Sequence, residues 1–133
     1  MNELSGYIEV QFFAIARKLP FKFGTNASAL YCRHFNVDLN EIASTGLYGV
    51  WDGEQMIKAP DPYAILVMAY YAHVTAMRMK GDREDMTLEA FIEACNEEEG
   101  ILNVFQKAML SSKLLGFRLD GKKEEIKKKE DVS

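Results

Sequence analysis

Apolar residues run almost without interruption between Asp61 and Gly81, and this stretch dominates the hydrophobic pattern of the chain. Asp61 can cap a helix N-terminus, Pro62 suits the first helical position, and Gly81 can end the helix. Because the side chains between them leave no polar face, we expect a helix that is buried on nearly all sides. The apolar run is shorter than the ~20 residues that cross a bilayer and includes His73, so the pattern predicts no membrane span.

Shorter apolar stripes with a helical period predict further helices around this central helix, at residues 26–35, 39–44, 88–95 and 101–115. Thr25 or Asn26, Asp38 and Thr87 have side chains that cap helix N-termini. The pattern therefore predicts a mainly α fold. We expect a small single-domain helical bundle over residues 1–116, packed around the buried central helix at residues 61–81.

Residues 7–13 fit two structures. β-branched and aromatic residues partly alternate there with Glu9 and Gln11, which favours a short N-terminal strand. The alternative is a helix, because apolar residues also recur at a helical period: Ile8, Phe12, Ile15 and Leu19. Pro20 and Gly24 then predict a break in regular structure.

Residues 46–60 form the loosest segment of the chain, with three glycines, Pro60 and the single tryptophan. An exposed loop rarely carries several large apolar side chains close together, as this one does with Leu47, Tyr48, Val50 and Trp51. These residues either fold back on the core or form a contact surface for another molecule.

The charge balance disfavours one class of function. The 133 residues carry a formal net charge of −4, whereas nucleic-acid-binding proteins usually show a basic patch. A hydrophobic content of 48% suffices for one domain with a real core. Residues 117–133 combine dense mixed charge with almost no apolar content, so we expect a disordered tail there.

The cysteines and the N-terminus both indicate the compartment. Cys32 and Cys95 lie in apolar helical patterns, so we expect buried, reduced thiols. The first residues lack the basic and apolar regions of a secretion signal. A cytoplasmic location is therefore predicted.

No spacing in the sequence indicates a metal, cofactor or nucleophile site. Cys32 and His34 point away from each other on a helix, and zinc-binding motifs are absent. The acidic run at residues 97–99 fits a solvated helix N-terminus better than acid–base catalysis. His73 fits a hydrogen-bonded core residue better than a catalytic one. We therefore expect a binding protein rather than an enzyme, and its seven methionines suit both core filling and an adaptable contact surface.

Four segments, in this order, resemble the small tail assembly chaperones of tailed bacteriophages and prophages. They are PFKFGTNASALYCRHFNVDLNEI with its Lys22-Phe23-Gly24 start, the apolar DPYAILVMAYYAHVTAMRMKG, the polar turn and acidic helix GDREDMTLEAFIEACNEEEG, and the closing ILNVFQKAMLSSKLLG. The likeness is one of pattern and order and covers roughly residues 21–115. Residues 46–60 have no counterpart in the family pattern.

The resemblance implies a holdase that binds the long, largely helical tape measure protein until tail tube subunits assemble around it. It also implies a mostly helical fold, a homo-oligomer, no cofactor or metal, and no nucleic-acid or membrane partner. Such a function needs an exposed apolar surface rather than an active site. Large apolar residues near segment edges are the candidates for partner binding: Tyr48, Trp51, Met79 and Phe117.

Two other interpretations share the same composition. One is a small helical adaptor or regulatory protein of a mobile element. The other is an enzyme that uses His73 with Tyr70, Tyr71 or an acidic partner. An enzyme of this kind requires a cavity beside His73 and a perturbed titration of its ring.

Overall fold

The computed structural model describes residues 5–83, 86–114 and 117–118. Its elements follow the chain in the order β1 (Tyr7–Phe12), β2 (Arg17–Lys22), α1 (Thr25–Phe35), a 3₁₀ helix (Leu39–Thr45), β3 (Val50–Asp52), β4 (Gln55–Lys58), α2 (Pro62–Met79), α3 (Leu88–Asn96), α4 (Ile101–Ser111), β5 (Lys113–Leu114) and β6 (Phe117–Arg118). Strands that are consecutive along the chain pair as two-stranded antiparallel sheets, β1 with β2, β3 with β4, and β5 with β6.

The prediction of a mainly α helical bundle is wrong, because the fold is mixed α/β. Helix α2 needs apolar cover on nearly all sides, and α1, α3 and α4 supply only part of it. The β1–β2 hairpin supplies the rest, with β2 lying along α2. The sequence of this hairpin was expected to hold at most one strand.

Helix α2 itself matches the predicted central helix. The Asp61 Oδ1 atom accepts a hydrogen bond from the Tyr63 N–H at 3.0 Å, and Pro62 occupies the first turn. Gly81, with φ +80°, follows the C-terminus in the left-handed region that favours glycine. None of the described helices is long and apolar enough to cross a membrane.

The predicted caps hold for some helices and fail for α1. Thr87 Oγ1 accepts a hydrogen bond from the Ala90 N–H at 3.1 Å and caps α3 as expected. Neither Thr25 nor Asn26 caps α1, since Gly24 is its N-cap residue and no side chain bonds there. Gly24 takes the cap position with φ +146°, a backbone conformation that favours glycine over a polar cap residue.

Of the two structures predicted for residues 7–13, the strand is the one observed, and it ends at Phe12. The segment around Pro20, where a break in regular structure was predicted, forms a second strand. Proline holds the residue before it in extended geometry, which is also strand geometry, so Pro20 is compatible with β2. A two-stranded sheet has free edges on which a missing N–H is tolerated. Pro20 lies opposite Glu9, and Val10 lies opposite Leu19.

The core lies between this hairpin and helices α2, α3 and α4. The Phe21 ring is at its centre, with its centroid 5.0 Å from that of Phe105 and 6.0 Å from that of Phe91. Phe12 and Phe23 stack on the same ring at 6.2 and 6.3 Å. Phe21, which belongs to strand β2, therefore contacts the other phenylalanine rings at the centre of the core.

The predicted disordered tail falls largely on residues 119–133, which lie outside the described residues. At its predicted start, the backbone of Phe117 and Arg118 pairs with that of Leu114 and Lys113. The domain boundary after residue 116 stays a prediction.

We expect Phe21→Ala to lower the free energy of unfolding by about 3–5 kcal/mol, because the deletion leaves a cavity lined by rings that cannot close it. Phe13→Ala is the matched control, since Phe13 is 79% exposed at the tip of the same hairpin. That control should stay within about 0.5 kcal/mol of the wild type in urea denaturation. Equal losses in the two variants would contradict the placement of the hairpin on α2.

Candidate functional site

Tyr48, a predicted contact residue, packs against the hydrophobic core, and its neighbour Leu47 is fully buried. The Tyr48 hydroxyl is shielded from solvent and has no hydrogen-bond partner among the described residues. Burial raises the pKa of Tyr48 to about 12, and the nearby Tyr31 adds to this shift. The Tyr31 hydroxyl, by contrast, is hydrogen-bonded to Thr45 Oγ1. Two neighbouring tyrosines thus differ in whether their hydroxyls are satisfied.

Residues 50–58, which we call the β3–β4 arm, form a hairpin in which every residue is exposed. Strands β3 and β4 contact mainly each other. The exposed large apolar side chains of the arm are Val50, Trp51, Met56 and Ile57. A hairpin of this kind adds little to the core and presents apolar surface to solvent.

Trp51 and Met56 lie directly opposite each other in the arm and so share one side of it. Both side chains stand over Gly49, because a Cβ placed there would lie 3.3 Å from Met56 Cε and 3.4 Å from Trp51 Nε1. The absence of a side chain at Gly49 lets the indole and the thioether lie against the backbone. Trp51 nevertheless remains 57% exposed.

The arm is joined to the body of the protein at a narrow base. The Asp61 N–H donates a hydrogen bond to the Gly46 carbonyl oxygen at 2.8 Å, which brings the two ends of the segment together. At the tip, Gly53 has φ +66°, as the tight turns of two-residue hairpins require. A Cβ at Gly53 would meet nothing within 4 Å, so the tip stands clear of the rest of the chain.

Met79 is 50% exposed at the opposite end of α2, where it borders a groove between α1 and α2. The groove has a volume of about 380 Å³ and is lined by Asn26, Ala29, Leu30, Arg33, Thr75, Arg78 and Met79. We call it the α1–α2 groove. The two helices run antiparallel, since Phe35 near the end of α1 contacts Tyr63 at the start of α2.

The structure does not bring the four predicted contact residues together. The arm that carries Trp51 is joined at its base to the N-terminal end of α2, whereas Met79 lies at the C-terminal end. The helix between these two ends is roughly 25 Å long at 1.5 Å per residue. Tyr48 packs on the core, and the side chain of Phe117 lies outside the described part of the chain. Trp51 and Met79 therefore belong to two separate surfaces.

Six exposed large apolar residues were not singled out from the sequence: Phe13, Met56, Ile57, Tyr63, Val104 and Leu110. Gln55-Met56-Ile57-Lys58 lies between Gly53 and Pro60, which is a short-strand signal bounded by turn residues. That signal was available in the sequence and predicts the second strand of the arm. Phe13 was the last residue of the expected strand, and no separate signal indicated its exposure.

His73 is enclosed in the core. Its ring packs against Phe21 and Phe91, and its Nδ1–H donates a hydrogen bond to the Pro20 carbonyl oxygen at 2.9 Å. Burial raises the pKa of the Cys95 thiol to about 12, so this cysteine is protonated and not nucleophilic at neutral pH. Within the described ranges, no three His, Cys, Asp or Glu residues are grouped as metal ligands.

Comparison with known proteins found no matching family model, no similar curated protein and no similar solved structure.

We expect Tyr48→Phe to leave the free energy of unfolding at pH 7 unchanged or to raise it by up to about 1–3 kcal/mol, because it removes a buried hydroxyl without a partner. Tyr31→Phe is the matched variant and should lower the same quantity by about 1 kcal/mol, because it removes the bond to Thr45. Urea denaturation measures both. Equal losses in the two variants would mean that the Tyr48 hydroxyl is hydrogen-bonded.

The raised pKa values also predict a loss of stability at alkaline pH. The ordinary pKa values are 10.0 for Tyr31 and Tyr48 and 9.0 for Cys95, and burial raises each to about 12 in the folded protein. Below pH 9 both states keep these protons. Between about pH 9 and 12 the unfolded chain loses them first, so the free energy of unfolding falls as the pH rises.

Urea denaturation at several pH values from about 7 to about 11 tests this slope. Tyr48→Phe should show a shallower loss than the wild type, because one of the groups with a raised pKa is absent. Identical slopes would contradict the burial of the Tyr48 hydroxyl.

Proposed function

We propose that the protein is a non-enzymatic tail assembly chaperone of a tailed bacteriophage or prophage, which binds the tape measure protein and keeps it soluble during tail assembly. The observation that carries the proposal is the β3–β4 arm, an exposed hairpin with four large apolar side chains. The order of the segments in residues 21–115, apart from residues 46–60 that contain the arm, resembles this family and supports the same function.

The chemistry of the arm suits a client that offers apolar stripes of helix. Trp51 gives a large rigid surface, and Met56 is flexible enough to adapt to different apolar partners. Burying one such side chain fully contributes roughly 1.5–3 kcal/mol, so a few contacts suffice for reversible binding. Reversibility matters because the client has to be released when the tail tube assembles.

The proposal also covers the oligomeric state of the protein and its location in the cell. A homo-oligomer would present several arms along one elongated client, and repeated weak contacts then act together. The work of such a chaperone takes place in the cytoplasm of the bacterial host cell. Neither nucleic acid nor a membrane is a partner in this proposal.

No described geometry favours the alternative of an enzyme that uses His73. The imidazole is fully buried, and a core carbonyl oxygen accepts its Nδ1–H. The α1–α2 groove is lined by other residues. A regulatory adaptor remains the alternative within the class of binding proteins, and the nature of the client separates it from a chaperone.

The direct test uses a helical fragment of the tape measure protein encoded in the neighbouring gene. Sedimentation over a concentration series measures the mass of the protein alone and in a mixture with the fragment. We expect concentration-dependent oligomers and a soluble complex with a fragment that is insoluble alone. A strict monomer that leaves the fragment to precipitate would overturn the proposal.

We expect the double variant Trp51→Ser/Met56→Ser to weaken binding of this fragment by about tenfold or more, because it removes the two large apolar side chains that share one side of the arm. Its melting temperature should stay close to that of the wild type, since the arm adds little to the core. Leu110→Ser is the matched control: Leu110 is a partly exposed apolar residue on α4. Equal effects of both variants would show that general surface hydrophobicity, and not the arm, holds the client.

A further inference from the structure

The second strand of the β3–β4 arm has a sequence that is complementary to itself. Strand β4, Gln55–Lys58, directly follows Glu54 in the turn, so an acid and a base lie four residues apart with Met56 midway between them. When two such strands run antiparallel with Met56 opposite Met56, Glu54 of each copy faces Lys58 of the other. All three side chains are exposed, so nothing in the body of the protein covers them.

The outer edge of β4 presents backbone hydrogen-bonding groups. Among the described strands β4 pairs only with β3, so its other edge is free. Asp52 and Gln55 close the two-residue turn, and the closing pair of such a hairpin is hydrogen-bonded. Because hydrogen-bonded and non-hydrogen-bonded pairs alternate along an antiparallel ladder, the N–H and carbonyl groups of the next residue, Met56, point away from β3. They are placed to bond the same groups of a second copy.

The arm receives little support from the rest of the protein, since β3 and β4 contact mainly each other. An isolated two-stranded hairpin is marginally stable in water, whereas three or more strands with an apolar face are stable. Pairing of β4 with β4 of a second copy would join two arms in one four-stranded sheet. Residues opposite each other in a sheet share a face, so Trp51 and Met56 of both copies would lie in one row.

We propose that the protein forms a homodimer in which the β4 strands of two copies pair antiparallel, with Met56 opposite Met56 and Glu54 opposite Lys58. The dimer contains two Glu54–Lys58 ion pairs, and its two-fold symmetry closes the assembly. Strand β3 offers no equivalent, because Val50–Asp52 include one acid and no base. A contact between two four-residue strands is smaller than the ~1,200–2,000 Å² of a standard interface, so the dimer is weak and forms at high protein concentration.

The inference deepens the proposed function, because it names the surface through which two copies associate. It rests on that function only for the use of the dimer, which would offer an elongated client an apolar face of twice the length. The pairing of the strands itself depends on the arm alone.

Sedimentation equilibrium of the full chain over a concentration series measures the dissociation constant of the dimer. Lys58→Glu places two carboxylates at each ion pair, and Glu54→Lys places two ammonium groups there. Each variant should raise the dissociation constant by about tenfold or more, and by less at high salt, which screens the charges. Both positions are exposed, so the melting temperature of the monomer should stay close to that of the wild type.

Lys107→Glu is the control for net charge, at an exposed position on α4. It should leave the dissociation constant close to the wild-type value. An equal effect of Lys107→Glu and Lys58→Glu would overturn the inference, because net charge alone would then explain the dissociation. A wild-type chain that stays monomeric at about 1 mM would also overturn it.

An equimolar mixture of the Lys58→Glu and Glu54→Lys variants tests the register of the strands. In a heterodimer of these two chains, the introduced lysine faces the introduced glutamate, and the native Lys58 of one chain faces the native Glu54 of the other. The mixture should therefore dimerise about as tightly as the wild type, although neither variant does so alone. A mixture that associates as weakly as the separate variants would overturn the inference.

The failure of the inference differs from the failure of the proposed function. If the tape measure fragment stays soluble while Lys58→Glu leaves the wild-type oligomer intact, the pairing of β4 strands is wrong and the chaperone proposal stands. If the mixed variants dimerise while the fragment precipitates, the pairing stands and the chaperone proposal is wrong.

Discussion

Helix α2 is apolar on nearly all sides, and α1, α3, α4 and the β1–β2 hairpin pack against it. Apolar packing by Phe21 and its neighbours holds the β1–β2 hairpin against the helix. The hydrogen bond from His73 Nδ1–H to the Pro20 carbonyl oxygen adds a directional contact, because it joins one atom of the helix side chain to one atom of the strand. An unpaired polar group at such a depth would cost about 1–3 kcal/mol. The buried histidine therefore favours the observed position of the hairpin on α2.

The two candidate contact surfaces lie at opposite ends of α2. The β3–β4 arm precedes the N-terminal end of α2 in the chain. The C-terminal end of α2 borders the α1–α2 groove. Their chemistry differs, since the arm is apolar and projects whereas the groove is concave and carries Arg33 and Arg78. A protein with these two surfaces can contact an elongated partner at separated points.

The sequence predicts α2 well because its signals are local: a long apolar run, Asp61 and Pro62 before it, and Gly81 after it. The β1–β2 hairpin was only half predicted, because short apolar runs fit both the strand and the helical period, and Pro20 marks a break as well as an extended strand. What decides between them is the need of α2 for cover on that side. This is a tertiary effect that residues 7–24 do not contain.

In the candidate site, too, local sequence signals do not contain what tertiary packing decides. The sequence left open whether Tyr48 and Trp51 pack on the core or form a contact surface. Trp51 is exposed and Tyr48, three residues earlier in the chain, packs on the core, and no local pattern separates the two. The α1–α2 groove could not be predicted, because Arg33 and Met79 meet only through the antiparallel packing of α1 on α2. Each of the two helices supplies part of the lining, so neither helix alone indicates the groove.

The hydrogen bond between Asp61 and Gly46 has a consequence for how this protein can vary. Because the chain leaves and re-enters the body of the protein at one point, lengthening or replacing the arm changes the loop-closure entropy only slightly. Residues 50–58 could thus be exchanged for another hairpin without altering any buried residue of the core. The exposed surface of the arm and the buried core are encoded in different parts of the chain, and each can evolve at its own rate.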